Sequence, residues 1–284
     1  MIIGLLHPGA MGAAVGAQLV SGGHRVRWLP RGRSALTARR ADAAGLLAAG
    51  SLPELLADSD LVFSICPPAA ASDVAEQVAA HGFTGTFVEA NAINPARMTS
   101  IASRLAAAGA TVVDGAIIGA PPSVVDGREL VARMYLSGPS AAVAQVAQVL
   151  AGGLAVPKPL DERIGSASAL KMAYGSFQKL SRALAAVSHA LADDFGVTPA
   201  LLAEAQRTGL AALADRDGLA MSAIRGWRWA PEMDEVAESL RTARLPDALA
   251  TAGALVFRRW DADKDDESLT TEDVLAHLRI TGQG

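Results

Sequence analysis

The stretch GLLHPGAMG, residues 4–12, decides how this chain folds. An apolar run, residues 1–6, leads into it, and an alanine-rich segment with helical periodicity, 12–20, leads out. A second apolar run, 26–29, follows Gly22-Gly23-His24. Strand, glycine-rich turn, helix and strand within about 30 residues is the unit that binds dinucleotides. The usual Gly-x-Gly-x-x-Gly is imperfect here: His7 and Pro8 stand at its start, and Gly9 and Gly12 remain. A residue before proline is pushed toward extended dihedrals, so His7 is expected to be extended and Pro8-Gly9 to make the turn. Gly9 allows a pyrophosphate to approach, and Gly12 allows the helix to sit close to the strand. The free N–H groups of the helix start, beyond Ala10 and Met11, suit a phosphate. A packing turn without a ligand is the competing reading.

A binding site for NAD usually carries a carboxylate about 20 residues on, at the end of the second strand. Here that region reads RWLPRGRS, residues 27–34, and the next carboxylate is Asp42. Arg31, Arg33 and Ser34 lie where a 2′-phosphate would sit, and arginine forks suit phosphate. The expectation is therefore NADP in preference to NAD, against the alternative of a solvated basic loop.

Working outward, further strand-like runs lie at 61–65, 86–88, 111–113 and 134–136, with helical segments at 72–80, 95–108 and 141–150. That alternation predicts a mostly parallel sheet covered by helices. Past Pro159 no strand-like run follows. A long helix is expected over 164–195, with others from Thr198-Pro199, from Pro231 and from Pro246. A last helix is expected to be capped by Thr270 with Asp273, and the charged run 261–267 reads as a solvated connector. The fold class is thus α/β, a Rossmann-type dinucleotide-binding domain over 1–160, followed by an all-α domain over 161–284.

The chain has 284 residues, 51% of them hydrophobic, and a net charge of −4. No basic run suggests nucleic acid, and no segment has the unbroken apolar length of a membrane span. One cysteine, Cys66, allows no internal disulfide and suggests a reducing compartment, the cytoplasm. The five histidines lie far apart, so no metal site is expected.

Five motifs in order carry a resemblance over nearly the whole chain: HPGAMG (7–12), SICPP (64–68), EANAINP (89–95), DGAIIGA (114–120) and GSASALK (165–171). With them the sequence resembles the β-hydroxyacid dehydrogenase and 6-phosphogluconate dehydrogenase superfamily. It is most similar to the bacterial NAD(P)-dependent oxidoreductases with a DUF1932 helical C-terminal domain. The resemblance implies that Cys66, Pro67 and Pro68 cover the cofactor, that Asn91 lies near the nicotinamide, and that residues 114–120 form a substrate loop. It implies that Lys171 acts at the substrate oxygen during hydride transfer. Read without the family, Lys171 is one lysine on an amphipathic helix, beside Leu170, Tyr174 and Phe177 at helical spacing.

The departures from the family pattern fall on the substrate side. Its loop serine is Ile118, its threonine is Ala92, and the asparagine four residues past the lysine is Gly175. Tyr174 and Gln178 share the lysine's helix face and could replace that asparagine. Backbone N–H groups at Gly119 and Ala120 could hold an anion. A more apolar pocket for a small-molecule substrate is expected. In RGWRWAPEMDE, 225–235, Trp227 and Trp229 with Arg225 and Arg228 read either as a pocket lining or as a helix junction with packed tryptophans. Small residues on the long helix (Ala167, Ala173, Gly175, Ser176) suit close packing, and resembling enzymes pair through this domain, so a homodimer is expected. The main reading is an NADP-dependent oxidoreductase on a hydroxy or oxo substrate. An imine reductase-like enzyme and a non-catalytic NADP-binding protein are the alternatives; the retained lysine speaks against both.

Overall fold

The computed structural model describes residues 1–280 and divides into two compact units, Met1–Lys171 and a second that begins at Met172. The first unit alternates strand and helix. Its elements are β1 (Ile2–Leu6), α1 (Ala10–Ser21), β2 (Arg25–Trp28), α2 (Ala35–Ala43), β3 (Leu47–Ala48), α3 (Leu52–Asp58), β4 (Leu61–Ser64), α4 (Ala71–Ala80), β5 (Thr86–Glu89), α5 (Pro95–Ala107), β6 (Thr111–Ile118), β7 (Ser123–Val125), β8 (Arg128–Leu130), β9 (Ala132–Ser137), α6 (Ser140–Val149) and β10 (Ala155–Pro159). Then α7 (Ser166–Asp194) starts in the first unit and runs on into the second. There follow α8 (Thr198–Thr208), α9 (Ala211–Ala214), α10 (Gly218–Ile224), α11 (Gly226–Thr242), α12 (Ala248–Arg258) and α13 (Thr271–His277).

Eight strands form one sheet in the order β10-β9-β6-β5-β4-β1-β2-β3. From β3 to β6 all neighbours are parallel, β9 runs antiparallel to β6, and β10 runs parallel to β9. The central strands β1, β4 and β5 are buried on both faces, which is why they read as nearly continuous apolar runs. One face buries Val15 and Leu19 of α1 and Val143 and Val146 of α6. The other buries Leu55 of α3, Val78 of α4 and Met98, Ile101 and Leu105 of α5. The sheet winds from β1 outward in both directions, so a crevice opens at the carboxyl ends of β1 and β4.

Four strands were not expected from the sequence. Two-residue β3 is too short to carry a pattern. The hairpin β7–β8 turns at Asp126-Gly127, both at positive φ (50° and 74°) as a tight hairpin requires. β10 contains Pro157 and Pro159, which argue against a central strand and are tolerated because β10 is an edge. β6 also runs further than its first three residues suggest. Pairing with β9 carries it through Asp114 to Ile118, so most of the expected substrate loop is strand.

The second unit is helical. Trp229, Phe257 and Trp260 form its aromatic centre, with ring centroids 5.4 and 6.0 Å apart in the two successive pairs. The Trp260 indole N–H donates to the Val274 carbonyl at 3.0 Å. Gly226 lets α11 sit on α12, since a Cβ there would lie 2.8 Å from the Phe257 carbonyl oxygen. Helix α11 starts at Gly226, ahead of Pro231, which lies inside it; aromatic packing of this junction outweighs the N–H that proline lacks. Thr270 and Asp273 form the expected capping box on α13. The charged run 261–267 is only partly solvated: Asp263 is buried and meets the His277 imidazole Nδ1 at 3.0 Å.

Candidate active site

The turn after β1 is built around the carbonyl of His7. That oxygen accepts the Gly9 N–H at 2.8 Å, and a Cβ on Gly12 would come within 2.5 Å of it. Gly12 is therefore required for α1 to approach the strand end. His7 itself has φ 69°, contrary to the extended form that a following proline favours. It adopts the left-handed half of φ space because the turn, closed by α1, leaves its carbonyl no other direction. At Gly9, by contrast, a Cβ would meet nothing within 4 Å among the described residues, so the backbone there is open to a ligand. Ala10 at the start of α1 is exposed, and Pro8 is buried beneath the turn.

Two polar atoms at this edge are buried without a hydrogen-bond partner among the described residues, His7 Nδ1 and Arg33 Nε. Burial, helped by the charge of Arg33, pushes the His7 imidazole down to about 4, so it is neutral at physiological pH. Burial also lowers Arg33, which is opposed by the Cys66 thiol. Arg33 thus lies over the crevice, close to both the β1 and β4 loops. Arg31 stands exposed, and Ser34 caps α2 by accepting the Thr37 N–H at 3.2 Å. An open glycine, a free helix start and unpartnered polar atoms at the switch point fit a dinucleotide.

Across the crevice, Asn91 joins the loops after β4 and β5. Its Oδ1 accepts the Cys66 N–H at 2.5 Å, and its Nδ2 donates to Ser64 Oγ at 3.1 Å, to Cys66 Sγ at 3.2 Å and to Glu89 Oε1. Asn91 is 4% exposed, so its amide is consumed by the protein and holds the loop in place. Pro67 is exposed and Pro68 begins a short 3₁₀ turn that leads into α4. The Cys66 thiol is pushed up to about 11, chiefly by burial and then by Glu89, so it is not a nucleophile at neutral pH.

Lys171 is positioned by its own helix start. Asp114, fully buried in β6, accepts the Gly165 N–H at 2.9 Å, the Ser168 N–H at 3.1 Å and the Ser168 hydroxyl at 2.7 Å. Ser137 of β9 donates to the same carboxylate at 3.1 Å and accepts the Ala167 N–H at 3.1 Å. Asp114 therefore caps α7 from 51 residues away, and Lys171 follows one turn later. Its ammonium donates to the carbonyl of Ile117. That carbonyl lies one residue before Ile118, Gly119 and Ala120; Gly119 has φ 133°, and it and Ala120 are exposed.

Three expected site residues lie in the second unit. Tyr174 and Gln178 are exposed on α7 (Tyr174 49%). Phe177 is 79% exposed, so Tyr174 and Phe177, at helical spacing from Lys171, do not form a buried stripe beside it. The tryptophan segment divides: Trp229 packs in the core, while Trp227 is exposed with the Lys264 ammonium 4.1 Å above its ring. Glu232 pairs with buried Lys179 at 2.8 Å. Sequence reasoning missed Ser64, Glu89 and Asp114 as site residues. A signal existed for the two acids, since TFVE and TVVD each end an apolar strand run on a carboxylate.

Residues 2–153 match the family model described as the NAD binding domain of 6-phosphogluconate dehydrogenase. The chain belongs to this family. Residues 192–260 match the domain of unknown function DUF1932, which places the chain in the branch carrying that helical domain. No functionally curated protein matches the chain. Among solved structures, it is similar to Mycobacterium tuberculosis 3-hydroxyisobutyrate dehydrogenase with L-serine: 18% identity, TM-score 0.76, covering 98% of this chain and 99% of that one. It is similar to Psf3 in complex with NADP+ and 2-OPP at 16% identity and TM-score 0.68, covering 98% and 100%. A Streptomyces aurantiacus imine reductase matches at 21% identity and TM-score 0.57, covering 99% and 100%. The shared fold is that of NAD(P)-binding 3-hydroxyacid dehydrogenases. Among the described residues, no helix is long and apolar enough to cross a membrane.

Proposed function

We propose that this member of the 6-phosphogluconate dehydrogenase-like family is an NADP-dependent oxidoreductase acting on a hydroxy or oxo small molecule, with Lys171 as its acid and base. The observation that carries this reading is the hydrogen bond from the Lys171 ammonium to the Ile117 carbonyl, in the part of β6 that runs on past its parallel pairing with β5. Bound nicotinamide supplies or accepts the hydride, and the chain supplies orientation and a proton. The start of α1, residues 10–12, would hold the pyrophosphate through its backbone N–H groups, with Gly9 leaving room for it. Lys171 gives a proton to the substrate oxygen as a carbonyl is reduced, and its amine receives that proton when an alcohol is oxidised. Ile117 holds the ammonium in place between turnovers. Exposed Gly119 and Ala120 offer N–H groups to the polar end of the substrate, and Ile118 makes its surroundings apolar. A screen of carbonyl compounds against the protein with NADPH and with NADH, run beside Lys171→Ala, tests this assignment. The likeness to an imine reductase favours including imines in the screen; turnover of imines alone, unaffected by Lys171→Ala, would replace the lysine mechanism.

The cofactor preference rests on Arg31 and Arg33 and on the absence of a carboxylate across residues 27–34. Arg31 is exposed beyond β2, whereas Arg33 lies back over the crevice. Arg31→Ala is expected to weaken NADPH by about 1–3 kcal/mol, the scale of a charge-assisted contact, and to leave NADH almost unchanged. Arg33→Ala is expected to weaken both. Dissociation constants from fluorescence titration check this, and tighter NADH than NADPH binding by the unaltered protein would refute NADP preference.

A homodimer belongs to the same proposal. Phe177, Leu184, Leu191 and Phe195 of and just past α7 are 79%, 68%, 59% and 74% exposed, and their spacing places them on one helix face. Monomers seldom leave such a stripe in water. Light scattering at micromolar concentration is expected to give a dimer, and Leu191→Glu a monomer.

A further inference from the structure

Glu89 ends β5, and 1% of it reaches solvent. Its two oxygens differ. Oε1 accepts the Asn91 N–H at 3.1 Å and the Asn91 side-chain amide, while Oε2 is buried with no partner among the described residues. An ionised carboxylate shares its charge over both oxygens, and a buried anionic oxygen without a donor is heavily penalised. A carboxylic acid with its proton on Oε2 avoids that penalty. Burial pushes Glu89 up to about 8, the Asp114 carboxyl of β6 adds to the shift, and Asn91 and Ser64 pull against it. Cys66, facing from the β4 side, is neutral in this range.

The same carboxyl decides which way Asn91 faces. With the amide turned over, its NH2 would meet the Cys66 N–H and its oxygen would meet Glu89 Oε1. As it stands, every amide atom is matched, and residues 66–68 are held beside the crevice. We propose that Glu89 works as a neutral carboxylic acid and is the positioning residue that, through Asn91, holds loop 66–68 in place for the dinucleotide. This rests on the NADP reading above. Loss of the proton leaves a bare anionic oxygen among the strand ends, which must open to water to solvate it.

The folded-state value lies above the ordinary one of 4.5, so the contribution of Glu89 to stability is full below that value and is lost as pH rises through about 8. Four measurements on the full chain test the proposal. Infrared difference spectra of wild type against Glu89→Gln should show a protonated carboxylic acid carbonyl at about pH 7 that disappears on raising the pH, reporting the state of the group directly. NADPH affinity of the wild type should fall by about tenfold for each unit above its midpoint. Glu89→Gln, a neutral donor and acceptor of the same shape, should bind within about threefold of wild type at neutral pH and lose the alkaline limb. Asn91→Ala should bind weakly at every pH. A carboxyl already ionised at about pH 7 overturns the proposal, and a wild-type spectrum with no protonated carboxyl carbonyl at that pH reads this even if Glu89→Gln does not fold. Wild type that binds NADPH with no alkaline limb, or Glu89→Gln that keeps one, overturns the positioning role alone. No NADPH binding by wild type at any pH overturns the cofactor reading and the positioning role with it, whatever the infrared result.

Discussion

Lys171→Ala is expected to lower turnover by about 10²–10⁴-fold, the contribution of a positioned acid or base. NADPH affinity should hardly change, because the turn of residues 9–12 and the arginines after β2 are untouched. The Lys171 ammonium is held by the Ile117 carbonyl, and Asp114 sets the helix turn that carries it. The substitution therefore removes a group from a fixed place and not a floating charge. Lys171→Arg should not restore turnover, since a guanidinium stays protonated and cannot return the proton. A solvated helix lysine behaves differently: its replacement by alanine changes stability and rate very little, typically by less than about 0.5 kcal/mol. Single-turnover rates with NADPH in excess measure the chemical step. Full activity in Lys171→Ala would leave the dinucleotide site standing and remove the acid/base assignment.

Asp114→Ala is expected to cost about 3–5 kcal/mol of stability, a large share of the 5–15 kcal/mol typical of a folded domain. Four groups donate to this one buried carboxylate. The hydroxyls of Ser137 and Ser168 can turn to other acceptors, but the N–H groups of Gly165 and Ser168 cannot, and each buried donor left unmade costs about 1–3 kcal/mol. Asp114→Asn keeps one acceptor oxygen and should lose less. Denaturant unfolding gives both values. Because the capped turn also sets Lys171, the turnover of Asp114→Asn should fall while NADPH affinity holds. A loss in Asp114→Ala below about 1 kcal/mol would show that the network adds little to the fold.

Much of the architecture was written locally. The strands that build the parallel core are short apolar runs, and the helices between them keep a regular period, so neither needs distant partners to be recognised. The last helix announced itself through Thr270 and Asp273, two residues that bond only each other's neighbourhood. The turn after β1 was legible as a ligand turn because strand, turn and helix are contiguous. The resemblance that singles out Lys171 as a candidate was legible because its motif stands in order with four others.

What only the tertiary structure decided depends on partners far apart in the chain. His7 takes a left-handed φ against its following proline because α1 closes over its carbonyl. Residues 114–118 become strand because β9 returns beside them, and β10 tolerates two prolines because it ends the sheet. Asn91, read from sequence as a group for cofactor or substrate, spends its amide on Cys66, Ser64 and Glu89, residues brought together by the parallel pairing of β4 and β5. Asp114 caps a helix 51 residues away. Local periodicity reports which side of an element is apolar; it carries no record of which buried polar atoms will find each other. Those pairings follow from the order of the strands, because a polar group inside the fold must be satisfied by whatever the topology sets against it.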